Sequence, residues 1–337
     1  MSLQRHSAGP ILARNDIPAV PPAFIDVSSV FNPGAVRFRN RDLLLLRVQN
    51  RARETAIMVA ESQDGIHFSV QPRLVEIHGL KEMVGKQRPG DAIYHIYDPR
   101  ITRIGEVFYV MFAMDMDYGC GLGLARTEDF QRFDCIGVSV DEDIRNGVLF
   151  PEKIGGRYLR LDRPNRSRLD NGVVSGDTIW LSESTDLASW NPVGPVFSGR
   201  WHFWDERIGA GPPPVKTREG WLLVYHGVAT HFSSCNIYQA GVALLDLENP
   251  ATVKGRCRYN ILEPRELYEL TGQVPNVVFP SGMIVDNLDA DGFALPDSPA
   301  RIYYGAADTV VGLATTTIRD LLNACQERSG NLPAGMP

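Results

Sequence analysis

No segment of the sequence approaches the roughly 18 consecutive apolar residues that a membrane-spanning helix needs. The first thirty residues hold no apolar core of signal-peptide length either, so a cytoplasmic protein is expected. Cysteine is scarce: Cys120, Cys135, Cys235, Cys257 and Cys325 are odd in number, scattered and without any Cys-x-x-Cys pair. That pattern points to neither a disulfide framework nor a zinc site, and buried thiols are expected instead. Positive charge is in deficit, with 34 Lys and Arg against 40 Asp and Glu and a formal net charge of -6. Nucleic-acid affinity draws largely on surplus Lys and Arg, so a nucleic-acid partner is disfavoured and any positive site has to be local. Helical periodicity is nearly absent before the C-terminus. Gly119-Cys-Gly-Leu-Gly123 lacks the spacing of a dinucleotide fingerprint and reads as close-packed strand glycines.

What the chain does contain is a series of short runs rich in Val, Ile, Leu, Tyr and Phe, bounded by Gly, Pro and Asp. Examples are 43–48, 107–113, 157–161, 221–225 and 301–304. A repeat runs through them. Ser62-Gln-Asp64-Gly-Ile-His-Phe68, Thr127-Glu-Asp129-Phe-Gln-Arg-Phe133 and Ser184-Thr-Asp186-Leu-Ala-Ser-Trp190 share a hydroxyl, an Asp and an aromatic at fixed spacing. Asp246 continues the series without the aromatic, and Asp320, after Thr317, is a weak fifth copy; the first four aspartates lie 65, 57 and 60 residues apart. An Asp that satisfies turn amides suits a tight connection between outer strands. Units of about 60 residues holding about four short strands are propeller blades, and 337 residues accommodate five. The expected fold is therefore all-β, a five-bladed β-propeller forming one domain over 1–337. A large β-sandwich with fortuitous spacing is the alternative. A short closing helix is expected over 316–328, with Ile318, Leu321, Leu322 and Cys325 on one face, and 287–300 reads as an exposed hairpin loop.

In a propeller a ligand sits at one mouth of the central channel. One apolar strand per repeat ends in a polar side chain, namely Arg47, Asp115, Arg163, His226 and Asp308, and the five share a common phase. Further polar groups stand beside Pro or Gly: Asn32 before Pro33-Gly34, Asp98 before Pro99-Arg100, and Arg145-Asn146 before Gly147. Proline restricts the residue before it to an extended backbone, which would aim the Asp98 carboxylate in a defined direction. Pro212 to Pro214 suit neither a helix nor a central strand, so they form a stiff segment that delivers Lys216 to a fixed place. A turn at Arg218 to Gly220 and a strand from Trp221 to Tyr225, buried on both faces, then lead to His226. This hairpin is expected to bring Lys216 and His226 together as an anion site. A solvated loop lysine and a satisfied strand-end histidine are the alternative.

With these residues assembled, the chain resembles glycoside hydrolase family 130, the inverting mannoside phosphorylases and related β-mannosidases with a five-bladed propeller fold. The matching motifs run in order from Phe31-Asn32-Pro33-Gly34-Ala35 and Tyr97-Asp98-Pro99-Arg100 through Gly147-Val-Leu-Phe-Pro151 and Arg163-Pro164. They continue with Gly209-Ala-Gly-Pro-Pro-Pro214-Val-Lys216, Tyr225-His226-Gly227, Val274-Pro-Asn-Val-Val-Phe-Pro280 and Tyr303-Tyr-Gly-Ala-Ala-Asp308-Thr309. The resemblance implies that Asp98 is the proton donor and that Asn32, Arg47 and Asp308 bind mannose, with Tyr97 beside the acid. It implies phosphate-binding positions at Arg145, Asn146, Arg163, Lys216, His226 and Tyr238. Related hydrolases lack this full basic set and carry acidic residues that activate water.

The implied reaction is reversible inverting phosphorolysis of a β-mannoside to α-mannose 1-phosphate and a shortened sugar. Inorganic phosphate is the cosubstrate, with no metal or other cofactor. A β-mannosidase, or a non-catalytic mannoside-binding propeller, is the alternative. Tyr97 before Asp98 resembles the 1,4-acting subgroups, whereas 1,2-acting relatives more often carry Glu there. That implies mannosyl-glucose, mannosyl-N-acetylglucosamine or mannooligosaccharides as substrates, and homo-oligomers are common in the family. An acid in this role must hold its proton near neutral pH, which takes burial or a neighbouring acid, and Asp308 is the candidate neighbour. Loops 76–89 and 287–300 are read as borders of an acceptor subsite, as an oligomer contact, or as solvated surface.

Overall fold

A computed structural model describes residues 3–168, 174–230 and 236–326. The short apolar runs become strands in five antiparallel meanders arranged as the blades of a propeller. Blade one is Val27–Phe38, Arg41–Asn50, Thr55–Ser62 and Ser69–Leu74. Blade two is Ile93–Ile104, Val107–Met116, Gly119–Thr127 and Phe133–Ser139, with Ile77–His78 added in parallel at its outer edge. Blade three is Ile144–Leu149, Tyr158–Pro164, Thr178–Ser184 and Asn191–Ser198. Blade four opens with two pieces, Arg207–Ala210 and Val215–Thr217, both paired with Gly220–Ala229, and continues with Ile237–Leu245 and Val253–Arg256. Blade five is Val278–Val285, Pro299–Ala306 and Val310–Thr317, and its outer strand, Gln4–Arg5, comes from the other end of the chain.

The aspartate repeat marks the turn from third to outer strand. Ser62 Oγ accepts from the amides of Asp64 and Gly65, and Asp64 Oδ1 accepts from those of Ile66 and His67. Thr127 with Asp129 and Ser184 with Asp186 repeat the arrangement, and Asp246 accepts from Glu248 and Asn249. The fifth copy is weak for a topological reason. Because the N-terminal strand already fills the outer edge of blade five, the chain after Val310–Thr317 turns into the helix Ile318–Gln326, whose start is capped by Thr317 Oγ1 accepting from the Asp320 amide. Residues 327 and 328 of the expected helix lie outside the described residues, as does Cys235. Cys120, Cys135, Cys257 and Cys325 are buried and free, as expected.

The glycines of Gly119–Thr127 also behave as anticipated, since a Cβ on Gly123 would stand 2.2 Å from the Phe112 ring. Two short helices were not anticipated. Leu80–Gln87 lies within the stretch read as a loop and buries Leu80 and Val84 against blade two, and Leu267–Leu270 leads into blade five. At eight and four residues they are too short for periodicity to reveal.

The innermost strands share one irregularity, and it positions the site. Their ladders are interrupted between Phe31 and Gly34, Tyr97 and Arg100, Arg145 and Val148, and Pro280 and Gly282. In blade four the prolines do the same, leaving four residues between Ala210 and Val215 against two between Leu222 and Tyr225. Proline donates no ladder hydrogen bond, and a bulge turns the displaced side chain out of the sheet.

Candidate active site

The bulges carry Asn32, Asp98 and Asn146, with φ of 47°, 51° and 55°. Positive φ swings each side chain out of its sheet toward the axis, and Asn and Asp tolerate it better than other non-glycine residues. This corrects the expectation of an extended Asp98: the bulge overrides the preference that Pro99 imposes. Asp308 joins them from the tight turn between Pro299–Ala306 and Val310–Thr317, at φ 49°.

These residues line a cleft of about 290 Å³ together with Arg47, Tyr97, Asp115, Arg145, Arg163, His226, Tyr238 and Phe279. All five strand-end side chains singled out in the sequence therefore meet at one mouth. A larger cleft of about 460 Å³ lies between blades two and three, lined by Trp180, Trp190 and a buried Arg160–Asp162 pair at 2.9 Å. There Arg160 donates to Asp162 and Ser139, and Ser182 to Asp162, whereas the smaller cleft holds buried polar atoms with no partner among the described residues. Among the described residues, no group of His, Cys, Asp and Glu could hold a metal ion.

On one wall, Asp98 Oδ1 accepts from Asn32 Nδ2 at 2.9 Å and Arg47 Nη1 at 3.0 Å. The Arg47 guanidinium is sandwiched between the rings of Phe31 and Tyr97, 4.4 and 4.7 Å from their centroids. Arg100, fully buried, clamps the backbone beneath: its three nitrogens donate to the carbonyls of Asp98, Gly211 and Ala210, tying blade two to blade four. Burial, countered by Arg47 and reinforced by Asp98, pushes the Asp308 carboxyl up to about 6. Asn32 Oδ1 and Arg47 Nε are buried without a partner among the described residues.

The opposite wall is basic. Burial, with Arg145 next to it, pushes the Arg163 guanidinium down to about 10, so two cations stand side by side. Arg145 has Asp115 only at 3.7 Å. Burial lowers the Arg145 value, but Tyr97, Cys120 and Asp115 around it outweigh that and raise it. His226 is held well below its ordinary value by burial and by Arg163 and Arg100, so it is neutral at pH 7. Arg145 Nε, Arg163 Nε and His226 Nδ1 are all buried and unpartnered among the described residues. Tyr238 lies roughly parallel to His226, its ring 6.2 Å away.

Lys216 is not part of this cluster. It pairs with Trp221 and His226 pairs with Gly209, five residues apart on one long strand, about 16 Å along it. The expectation that the hairpin brings Lys216 and His226 together is thus overturned: the prolines carry the chain past the level of the cleft. Lys216 Nζ instead bonds Glu152 Oε2 at 2.8 Å, sits 4.4 Å from the Phe293 ring centroid, and lines a separate cleft of about 340 Å³. The missed residue is Arg207. It pairs with Val228, which pairs with Tyr238, so all three face one way, two positions along from Gly209 and His226. Its charge acts on Tyr238. Its place just ahead of Ile208-Gly209 was the available signal. Neither loop read as an acceptor border lines the cleft: Gln87 reaches the 460 Å³ cleft, and Leu288 and Gly292 the one around Lys216.

Known proteins are similar to this chain in sequence and in fold. Residues 3–327 match the model of a glycoside hydrolase family, number 130, described as "beta-1,4-mannooligosaccharide phosphorylase". The chain is similar to a beta-1,4-mannooligosaccharide phosphorylase of Ruminococcus albus, 34% identical over 96% of this chain and 91% of the relative. It is similar also to a 1,2-beta-oligomannan phosphorylase of Thermoanaerobacter sp., 33% identical over 78% of each. The beta-1,2-mannobiose phosphorylase of Listeria innocua, solved with beta-1,2-mannobiose, superposes with a TM-score of 0.80 at 27% identity, covering 97% of this chain and 99% of that one.

Proposed function

Because the chain belongs to glycoside hydrolase family 130, we propose that this channel mouth carries out inverting phosphorolysis of a β-mannoside, giving α-mannose 1-phosphate and a shortened sugar. The observation that carries the reading is the pairing of the buried Arg163 with the part-exposed Arg145, side by side and each with a buried, unpartnered Nε atom, across the cleft from a carboxylate. Two cations so placed call for an anion. Phosphate, with oxygens that bidentate guanidinium groups recognise, satisfies both, and the neutral His226, Asn146, Tyr238 and Arg207 complete its surroundings.

Water needs a base as it attacks, but phosphate arrives already ionised, so one acid suffices. Phosphate held on the basic wall attacks the anomeric carbon, and Asp98 supplies the proton to the leaving oxygen, directly or through a sugar hydroxyl. Asn32, Arg47, Tyr97 and Asp308 hold the mannose ring, their unpartnered Asn32 Oδ1 and Arg47 Nε being free to meet its hydroxyls. For the linkage, β-1,4 is supported by Tyr97 beside the acid and by the 1,4-acting relative, which aligns over 96% of the chain against 78% for the 1,2-acting one.

Asp98→Asn tests the assignment. Asn keeps an oxygen for the Asn32 and Arg47 bonds and tolerates positive φ, so the variant is expected to fold like wild type by circular dichroism. Its phosphorolysis should fall by about 10²-fold to 10⁴-fold. Near-wild-type turnover of a natural disaccharide would remove Asp98 from the role.

A further inference from the structure

Asp115 is a third carboxylate in the cleft, beside Asp98 and Asp308, and phosphorolysis gives it no proton to take; the inference drawn from it rests on the function proposed above. It stands on Val107–Met116 opposite His95, three residues ahead of Asp98 on the neighbouring strand, which separates the two backbones by on the order of 10 Å. Both side chains enter the same cleft. That spacing is compatible with the roughly 6.5–9.5 Å between carboxyl groups that an inverting hydrolase uses to fit a water between its acid and its base.

The surroundings of Asp115 suit a base held next to a nucleophile. Tyr97 Oη donates to its Oδ1 at 2.6 Å, Cys120 Sγ stands 3.0 Å from the same atom, and Arg145 Nη2 lies 3.7 Å away. Its side chain is 39% exposed, so water can reach it. Asp98, by contrast, is bonded on the other wall, its own, by Asn32 and Arg47. Asp98 is therefore held with the sugar-binding groups, and Asp115 lies beside Arg145, which receives the nucleophile.

We propose that the enzyme also hydrolyses β-mannosides slowly when water takes the place of phosphate beside Arg145, with Asp115 as the general base. The water oxygen forms a bond to the anomeric carbon as the bond from that carbon to the glycosidic oxygen breaks. The leaving oxygen keeps the electron pair and takes the proton of the Asp98 carboxyl, and the water's proton passes to the Asp115 carboxylate. The products are α-mannose and the shortened sugar, and solvent returns both carboxyls to their starting states.

The test uses phosphate-stripped enzyme and a mannobiose in oxygen-18 water, following free mannose and mannose 1-phosphate together, with a second series at rising phosphate. Slow release of mannose labelled at its anomeric oxygen is expected, appearing first as the α anomer and suppressed as phosphate competes for the same place. Asp115→Asn should lower hydrolysis by about 10²-fold or more, well beyond its effect on phosphorolysis, so the ratio of the two rates falls. Asp115→Glu, which keeps a base, should recover part of that ratio. Two outcomes overturn the inference while leaving the phosphorylase reading standing: wild type that forms mannose 1-phosphate but no mannose beyond the spontaneous rate, or an Asp115→Asn ratio equal to wild type. Enzyme that yields neither product contradicts both.

Discussion

Asp308 is the carboxyl on which burial tells most in the cleft, raised to about 6. A carboxyl whose folded value lies above its unfolded one, near 4, favours folding in full only below the unfolded value, and that contribution is lost as pH rises through about 6. Above that the ionised group costs the fold about 2 kcal/mol, allowing for the part of the residue that solvent reaches. Asp308→Asn should therefore melt at a higher temperature than wild type near pH 7.5 and lose that advantage near pH 4. Parallel melting curves at the two pH values check it, and an advantage independent of pH would show that the ionised form is not the source. Such a residue, whose cost to stability is paired with a place in the candidate cleft, is where a site and its fold pull against each other.

At the scale of elements, strand phase was legible and strand direction was not. Arg47, Asp115, Arg163, His226 and Asp308 meet in one cleft because alternation along a strand fixes which face a residue takes, and the repeat fixes equivalent positions in successive blades. Nothing in alternation tells which end of a strand meets which mouth of the channel, and Lys216 was misplaced for that reason. Arg207 was missed because it opens a four-residue strand after an irregular loop, too short for a pattern. The bulges at Asn32-Pro33 and Asp98-Pro99 left a trace in the prolines, although the left-handed backbone they impose ran against the usual effect of proline on its predecessor. These placements separate two variants. Arg207→Ala should raise the KM for phosphate by about tenfold or more, the loss of one charge-assisted hydrogen bond, with less effect on the KM for mannoside. Lys216→Ala should leave both within about twofold, since it lies outside the cleft and its partner is the part-exposed Glu152. Steady-state kinetics with each substrate varied in turn decides it; the reverse pattern would put Lys216 back at the phosphate.

For the whole molecule, ring closure depends on two N-terminal residues. Gln4–Arg5 completes blade five, and Arg5 Nε and Nη2 bond the carboxylate of the fully buried Glu269 at 2.8 and 3.0 Å. Tyr304 Oη and the amides of Arg265 and Glu266 donate to the same carboxylate. Arg5→Ala strips from this group the one cation bonded to it among the described residues, and the loss of a buried partner typically costs about 3–5 kcal/mol. The variant should show an earlier urea midpoint with an unchanged phosphate KM, because Glu269 lies outside the cleft. The account as a whole turns on the nucleophile. Wild-type enzyme incubated with β-1,4-mannobiose, with and without inorganic phosphate, and followed by phosphorus NMR tests this most directly. The account predicts α-mannose 1-phosphate as the dominant product whenever phosphate is present, with release of free mannose far slower. Free mannose released at the same rate whether or not phosphate is present, with no phosphorylated sugar, would contradict it.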